Sequence, residues 1–388
     1  MSDRSHLSWP FFEEGHRRLA DDLSAWAALH IEDVWERSDD IDGSCRVLVK
    51  QLADAGWLSL VAPEGGAAGR FDVRALCVAR ETLARHGGLA DFAFAMQGLG
   101  AGPVALFGSE AQRRRILPKV RRGEAIAAFA LSEADAGSDV QAMRTTAHRQ
   151  GRGYVLQGEK TWISNAGIAD FYVVFARMPD EGHDRFGAFL VEAEQLGLTI
   201  SERTHVIAPH PLGTVRLEAC EIDADALIGA PGDGLRVAFG TLDVFRTTVG
   251  AAALGFARRA LEESLRWVSE RSTFGRSLGQ HQLTKARLAD MAVAVDASAL
   301  LVYRAAWTRD TQDGAATREA AMAKLYATEA AQRVIDDAVQ LFGGRGVVSG
   351  AVVERLYREI RALRIYEGTS EIQKLVIAGQ LLPRAAST

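Results

Sequence analysis

The feature that most constrains this chain is a double change in the period of its apolar residues. From about residue 10 to 125 they recur at helical spacing, as in Leu48, Leu52 and Ala55, with Gly56 supplying a C-terminal stop. Between about 126 and 230 the pattern becomes short apolar runs broken by turn residues: Ile126–Leu131, Tyr154–Leu156, Phe171–Ala176, Phe186–Val191, Leu198–Ile200 and Val215–Leu217. Thr145–Arg149 and Tyr154–Lys160 flank Gly151 and Gly153, which predicts a hairpin. After Gly234 the helical period returns. Val249, Ala253, Phe256, Ala260 and Trp267 share one face of a long helix, and further helices fit Leu283–Trp307, Thr317–Phe342 and Ile372–Leu382. The reading is an α+β chain, mostly α, in three parts: residues 1–125 all helical, 126–232 β-rich and 233–388 helical. No Pro- or Ser-rich linker marks either junction, so the three are expected to pack together.

Several function classes fall away on composition. With 45 Lys+Arg against 50 Asp+Glu, the net charge of -5 lacks the basic excess of a nucleic-acid binder. Cys45, Cys77 and Cys220 form no CxxC or Cys/His cluster, which argues against a disulfide framework and a zinc site. No N-terminal apolar leader and no run of about 18 uninterrupted apolar residues occurs, so the expectation is a soluble cytoplasmic protein without a membrane partner. No repeat emerges, and the only low-complexity tail is Arg384–Thr388.

Familiar nucleotide motifs also fail. Gly98-Leu-Gly-Ala-Gly102 has Pro103 where a third glycine belongs and reads as a helix-connecting turn; Gly344-Arg-Gly346 lacks the third glycine and the βαβ context. Gly158-Glu-Lys-Thr lacks the preceding glycine of a P-loop, and neither a Gly-x-Ser-x-Gly elbow nor a His-Glu-x-x-His pair is present. The basic run Arg113–Arg115 with Lys119, Arg121 and Arg122, and the stripe Arg355, Arg358, Arg361 and Arg364, fit solvated helix faces better than phosphate sites.

Four segments carry chemistry. Phe129-Ala-Leu-Ser-Glu-Ala-Asp-Ala-Gly-Ser-Asp139 presents backbone N–H and hydroxyl donors in a loop after a strand. Gly158-Glu-Lys-Thr-Trp-Ile-Ser-Asn-Ala-Gly167 puts Trp162 and Ser164 two apart on a strand, facing the same side. Glu270-Arg-Ser-Thr-Phe-Gly-Arg276 offers the Arg271 fork and the Phe274 ring between two long helices. Last come Gln340-Leu-Phe-Gly-Gly-Arg-Gly346 and Leu363-Arg-Ile-Tyr-Glu-Gly-Thr-Ser-Glu-Ile-Gln373. There Ser370 and Gln373 have capping-box spacing and leave Glu367 and Gly368 in the loop before a helix.

In order and spacing these segments resemble the acyl-CoA dehydrogenase family, over nearly the whole chain. The resemblance implies an N-terminal helical domain, a middle β-barrel domain and a C-terminal four-helix bundle, with FAD as cofactor. It implies FAD contacts from Phe129, Leu131, Ser132, Gly137 and Ser138, from Trp162 against the isoalloxazine and Ser164 near its N5 atom, and from Ile163, Arg271, Phe274 and Gln282. Gln340, Leu341, Gly343, Gly344, Thr369 and Glu371 complete the set, and the Arg271 and Phe274 contacts are expected on the FAD of a neighbouring subunit. Ser138, Asp243, Arg246, Glu367 and Gly368 match substrate-binding positions, although Arg246 equally suits a structural cap or ion pair. Ala134-Asp135 departs from the family, which has Pro after the Glu.

The implied reaction is α,β-dehydrogenation of an acyl-CoA thioester to the trans-2-enoyl-CoA. Glu367 would be the base, hydride would leave for the flavin, and electron-transferring flavoprotein would collect the electrons. A base acting on a weakly acidic C–H needs a raised pKa, and an apolar site supplies one. A homotetramer or homodimer is expected. Asp91 stands where dicarboxylyl-CoA dehydrogenases place an arginine, which disfavours a glutaryl group, and Val206-Ile-Ala-Pro-His-Pro-Leu212 departs from the family near the substrate, pointing to a branched, cyclic or aromatic acyl group. The alternatives are an acyl-CoA oxidase and a non-catalytic flavin- or CoA-binding protein on the same scaffold.

Overall fold

A computed structural model describes residues 4–31, 40–63, 70–182, 185–312 and 316–382, so the tail Arg384–Thr388 lies outside the described residues. In chain order, α1 (Glu14–His30), α2 (Ile41–Asp54), α3 (Val73–His86), α4 (Gly88–Phe107) and α5 (Glu110–Arg121) precede the sheet. The strands are β1 (Ala127–Ala130), β2 (Thr146–Gln150), β3 (Gly153–Ser164), β4 (Phe171–Arg177), β5 (Phe186–Glu192), β6 (Leu198–Arg203) and β7 (Leu212–Asp223). Then follow α6 (Gly234–Glu270), a short hairpin of β8 (Ser272–Thr273) and β9 (Arg276–Ser277), α7 (Gln282–Thr311), α8 (Thr317–Phe342), α9 (Val352–Leu363) and α10 (Ser370–Leu381). Helical, sheet and helical segments thus succeed one another as the apolar period predicts.

By contact the chain divides differently, into two compact units. One gathers Met1–Glu32, Asp72–Asp91 and Arg246–Thr388; the other gathers Asp33–Phe71 and Phe92–Phe245. Long helices cause the difference, since α4 and α6 each contribute residues to both units.

In the first unit α8 packs against α7, α9 and α10, while α3 packs against α1 and α7. The stripe of α8 that is buried is built largely from alanine, with Ala320, Ala323, Ala327 and Ala331 at the i, i+3, i+4 spacing of one helix face. Asp72 caps α3 by accepting from the Ala75 N–H at 2.9 Å and also binds His16 at 3.0 Å.

In the second unit the sheet runs β1-β4-β2-β3-β7-β6, with β5 paired to the other side of β4. Strand β4 is buried on both faces, which is why its sequence is a continuous apolar run instead of an alternation. The β2–β3 hairpin forms as expected, Gly151 taking φ +57° at its turn. Ser109 and Gln112 cap α5 reciprocally.

The Gly98–Gly102 stretch is not a turn: it lies inside α4. Its glycines admit close neighbours, since a Cβ on Gly100 would sit 2.6 Å from the Cβ of Ala127 and one on Gly98 would sit 2.6 Å from the Phe245 ring. By length and composition α4 and α6 could cross a membrane, yet 89% and 83% of their apolar windows are buried, so core packing accounts for their composition.

Candidate active site

Between the end of α9 and the start of α10 the chain makes a turn in which Glu367 has φ +54° and Gly368 φ +93°. A left-handed conformation costs a non-glycine residue about 1–2 kcal/mol and persists only where the surroundings fix it. Here the surroundings are buried donors. The Glu367 carbonyl accepts from Arg246 Nε at 3.2 Å and Gln373 Nε2 at 3.3 Å; the Gly368 carbonyl accepts from Lys324 Nζ at 2.8 Å and Gln373 Nε2 at 3.0 Å. The α10 cap departs from the capping box expected of Ser370 and Gln373. Thr369 is the N-cap, accepting from the Ile372 N–H at 3.4 Å, while Ser370 donates to Glu329 at 2.6 Å and the Gln373 amide is drawn back to the turn.

The Glu367 carboxylate ends in a buried Oε2 with no hydrogen-bond partner. Burial pushes its pKa above the ordinary glutamate value; the cations of Arg80, Arg246 and Lys324 pull it back and Asp91 adds to the push. Arg80 and Asp91 form a buried bidentate pair, and Arg80 also donates to Thr248 at 3.0 Å. The Arg80 fork is therefore occupied by Asp91 and offers no free cation to a second carboxylate. Arg246 is itself buried against the Glu367 turn.

In the other unit, the loop after β1 is organised by Glu133. Its carboxylate accepts from the amides of Arg144 (2.6 Å) and Thr145 (3.0 Å) and from Lys160 Nζ (2.8 Å). Lys160 Nζ also donates to the Leu131 carbonyl at 3.0 Å, and the Thr161 N–H to that of Ser132 at 2.9 Å. Burial drives the Lys160 ammonium down to about 8 against the pull of Glu133. Burial would raise Glu133, but Lys160 and the amides outweigh it and hold the carboxyl below its usual range. The rigidity that the missing proline would supply thus comes from an ion pair. Gly137 and Ser138 are exposed on this loop.

Strand β3 does not alternate regularly at its Trp162 end. A register break separates Lys160 from Ile163, and Trp162 takes φ +62° with 57% of its surface exposed. Ile163 is buried and Ser164 pairs with Leu212. Within the same unit Phe92 stacks on His210 of the Val206–Leu212 segment, ring centroids 4.4 Å apart. Asp243 is half-buried on α6.

Phe129, on β1 of the second unit, packs on Phe175 with ring centroids 4.8 Å apart, and the remaining predicted residues lie in the first unit. Phe274, with φ +52°, and Gly275 form the tip of the β8–β9 hairpin, and Phe274 is 96% exposed. Arg271, Gln282, Gln340, Gly343, Gly344 and Glu371 are exposed, and Thr369 and Leu341 are partly so. Trp267 stacks on Phe342 and donates to the Leu341 carbonyl at 3.1 Å, which fixes the chain entering the glycine pair. By contrast the basic residues of α5 are largely engaged: Arg114 with Glu110, Arg121 with the Ala62 carbonyl, Arg122 with Glu124.

Sequence reasoning missed Arg80 and Lys324 around Glu367 in the first unit, and Glu133 and Lys160 behind the loop after β1 in the second. One signal was available, since Lys324 falls on the alanine stripe of α8 and Arg80 on the apolar stripe of α3 with Cys77 and Ala84. A cation at a core position demands a partner.

The sequence matches the family descriptions "Acyl-CoA dehydrogenase, N-terminal domain" over residues 13–124, "middle domain" over 128–220 and "C-terminal domain" over 232–382. It is 35% identical over 373 residues to cyclohexane-1-carbonyl-CoA dehydrogenase of Geobacter metallireducens, covering 95% of this chain and 96% of the relative. Among solved structures it is similar to a chain from the study of the electron transferring flavoprotein of Acidaminococcus fermentans, towards a mechanism of flavin-based electron bifurcation (TM-score 0.89, 32% identity, 96% of this chain and 99% of that one). It is also similar to an acyl-CoA dehydrogenase of Bacillus anthracis complexed with FAD (TM-score 0.87, 28% identity, 98% and 70%).

Proposed function

This chain belongs to the acyl-CoA dehydrogenase family, and from that premise we propose that it removes hydrogens from the α and β carbons of an acyl-CoA thioester, with Glu367 as the base and FAD as the acceptor. The observation that carries the reading is the buried, unpartnered Oε2 of Glu367 on a left-handed turn held by buried donors. A strained turn that ends in an unsatisfied carboxylate is costly to a fold, and proton abstraction from carbon gives it a purpose.

The residues present fit FAD. Trp162 offers an exposed indole face and the half-buried Ser164 a hydroxyl on the same strand, while Ser132, Gly137 and Ser138 provide donors on a loop braced by Lys160. Nothing lies within 4 Å of where a Cβ would project from Gly343 or Gly344, so a large polar group can approach their backbone. Phe129, Leu131, Ile163, Gln282, Gln340, Leu341, Thr369 and Glu371 complete the proposed set. Arg271 and Phe274 are offered outward, which supports a role on the cofactor of a second subunit, and with it a homo-oligomer. FAD, when bound, supplies the two-electron acceptor for the hydride leaving the β carbon. Glu367 takes the α proton, and its raised proton affinity brings it closer to the acidity of the activated substrate. Its backbone N–H is proposed to donate to the thioester oxygen; Ser138, Asp243 and Arg246 are proposed for the CoA part.

The acyl group is proposed to be branched, cyclic or aromatic and not dicarboxylic, because Asp91 occupies the Arg80 fork and the Phe92–His210 stack accompanies the unusual Val206–Leu212 segment. The G. metallireducens relative, named for a cyclic acyl-CoA, is in line with this. Electron-transferring flavoprotein is proposed as the acceptor protein and the cytoplasm as the compartment. The three domains are proposed to meet near residues 125 and 232.

The test is anaerobic titration of the purified yellow protein with a panel of acyl-CoAs. Bleaching of the flavin bands by cyclic or aromatic acyl-CoAs is expected; a protein that takes up no FAD, or whose Glu367→Gln variant bleaches as fast, contradicts the proposal. Peroxide release in air without an added carrier would instead favour an oxidase.

A further inference from the structure

We propose that Lys324 is a positioning residue for the base, pinning the Glu367–Gly368 turn through the Gly368 carbonyl and setting the charge environment of the Glu367 carboxylate; this rests on the reading of Glu367 as that base. Lys324 sits fully buried at 0% exposure on α8, one helical turn from Ala320 and Ala327, where an apolar side chain of similar length would pack as well. A buried ammonium is unfavourable unless it is paired and hydrogen-bonded. What it meets is the Gly368 carbonyl, at 2.8 Å.

That carbonyl belongs to the Gly368–Thr369 peptide, whose plane goes with ψ of Gly368 and φ of Thr369, immediately after the Glu367 turn residue. Gln373, also fully buried, bridges the carbonyls on either side of Gly368 N, and Arg246 takes the first of them. The fit is tight, since a Cβ on Gly368 would fall 2.6 Å from the Gln373 amide nitrogen. Lys324 is thus the donor that approaches from α8, across from Gln373 on α10. Without it the Gly368 carbonyl keeps only Gln373 as a donor, and the left-handed turn that aims the Glu367 carboxylate loses one of its buried anchors.

Charge acts in the same place. Glu367 is faced by Arg80 and Asp91, near the start of the turn, by Arg246 from α6 and by Lys324 from α8; Lys324 in turn feels Glu367, Arg246, Glu329 and Glu371. Burial lowers the ammonium to about 8, so its charge is present near neutrality. Removing that charge raises the proton affinity of Glu367.

The experiment compares holoenzyme carrying Lys324→Met, Lys324→Arg and Glu367→Gln, reading kcat, KM, the pH profile of kcat, flavin content and unfolding temperature. For Lys324→Met a loss of roughly 10–100-fold in kcat, at a KM within about two-fold, is expected for a displaced base. Its acid limb should move to higher pH, with Lys324→Arg returning the limb towards the original. Unchanged kcat and limb, or a fall in kcat that only tracks lost flavin or lost folded protein, overturns the assignment while an inactive Glu367→Gln still upholds the base. An active Glu367→Gln overturns the base itself. Should Lys324→Met not fold, Gln373→Met withdraws donors from the same two carbonyls without removing charge: lowered kcat with an unmoved limb supports the pin, and unaltered kcat overturns it.

Discussion

Arg80 and Asp91 hold each other through two charge-assisted hydrogen bonds of 2.8 and 2.7 Å, with both residues at most 3% exposed. Arg80 lowers and Asp91 raises the proton affinity of Glu367, so the two halves of the pair act on it with opposite signs.

Replacing Asp91 by Asn upsets that balance. Breaking a buried ion pair leaves an uncompensated charge and typically costs about 3–5 kcal/mol. The freed Arg80 cation and the lost anion act in the same direction on Glu367, so the acid limb of kcat should shift to lower pH. Denaturant unfolding and a pH–rate profile check both.

Glu367→Gln should abolish turnover and yet not weaken the fold at neutral pH. The folded-state pKa of Glu367 is raised, so the protonated form is the one the fold prefers. Its contribution is most favourable below the unfolded value near 4.5 and is lost as pH rises through the raised folded value. A neutral amide escapes that loss. The variant should therefore unfold at an equal or higher temperature than the wild type at pH 8, with the difference narrowing towards pH 4; a marked destabilisation at pH 8 would contradict the reading.

Glu133→Ala removes the anion that organises the Phe129–Asp139 loop and leaves Lys160 fully buried beside the Leu131 carbonyl. A loss of about 3 kcal/mol is expected. Faster proteolysis within the loop and easier stripping of flavin on gel filtration should accompany it, because the donors at Ser132, Gly137 and Ser138 lose their brace.

Gly100→Ala tests close packing inside α4. Alanine gains up to about 1 kcal/mol of helix propensity over glycine. The new methyl group would nevertheless meet the Ala127 Cβ at 2.6 Å and the backbone of Ala127 and Ala128 at 2.8 Å. Strand β1 cannot yield without disturbing its pairing with β4, so a net destabilisation of about 1–3 kcal/mol is expected in chemical denaturation.

Much was determined by the sequence alone. Apolar periodicity is a local property, and it separated helix from strand along the described residues, down to the limits of α8 and the Gly56 stop of α2. The Tyr366–Thr369 motif located the irregular turn before α10 for the same reason. Local spacing failed where a backbone detail overrode it: the α4 glycines read as a turn because packing against β1 and α6 is invisible in a window of five residues, and the Trp162 bulge broke an alternation that the strand otherwise keeps.

Only the tertiary structure decided what surrounds Glu367. Arg246 reaches Glu367 across 121 residues and Lys324 reaches Gly368 across 44, and neither separation has a periodic signature. A lysine looks the same in sequence whether its ammonium is hydrated or enclosed. Its partner, and the proton affinity that follows from it, exist only once distant helices have packed and excluded water.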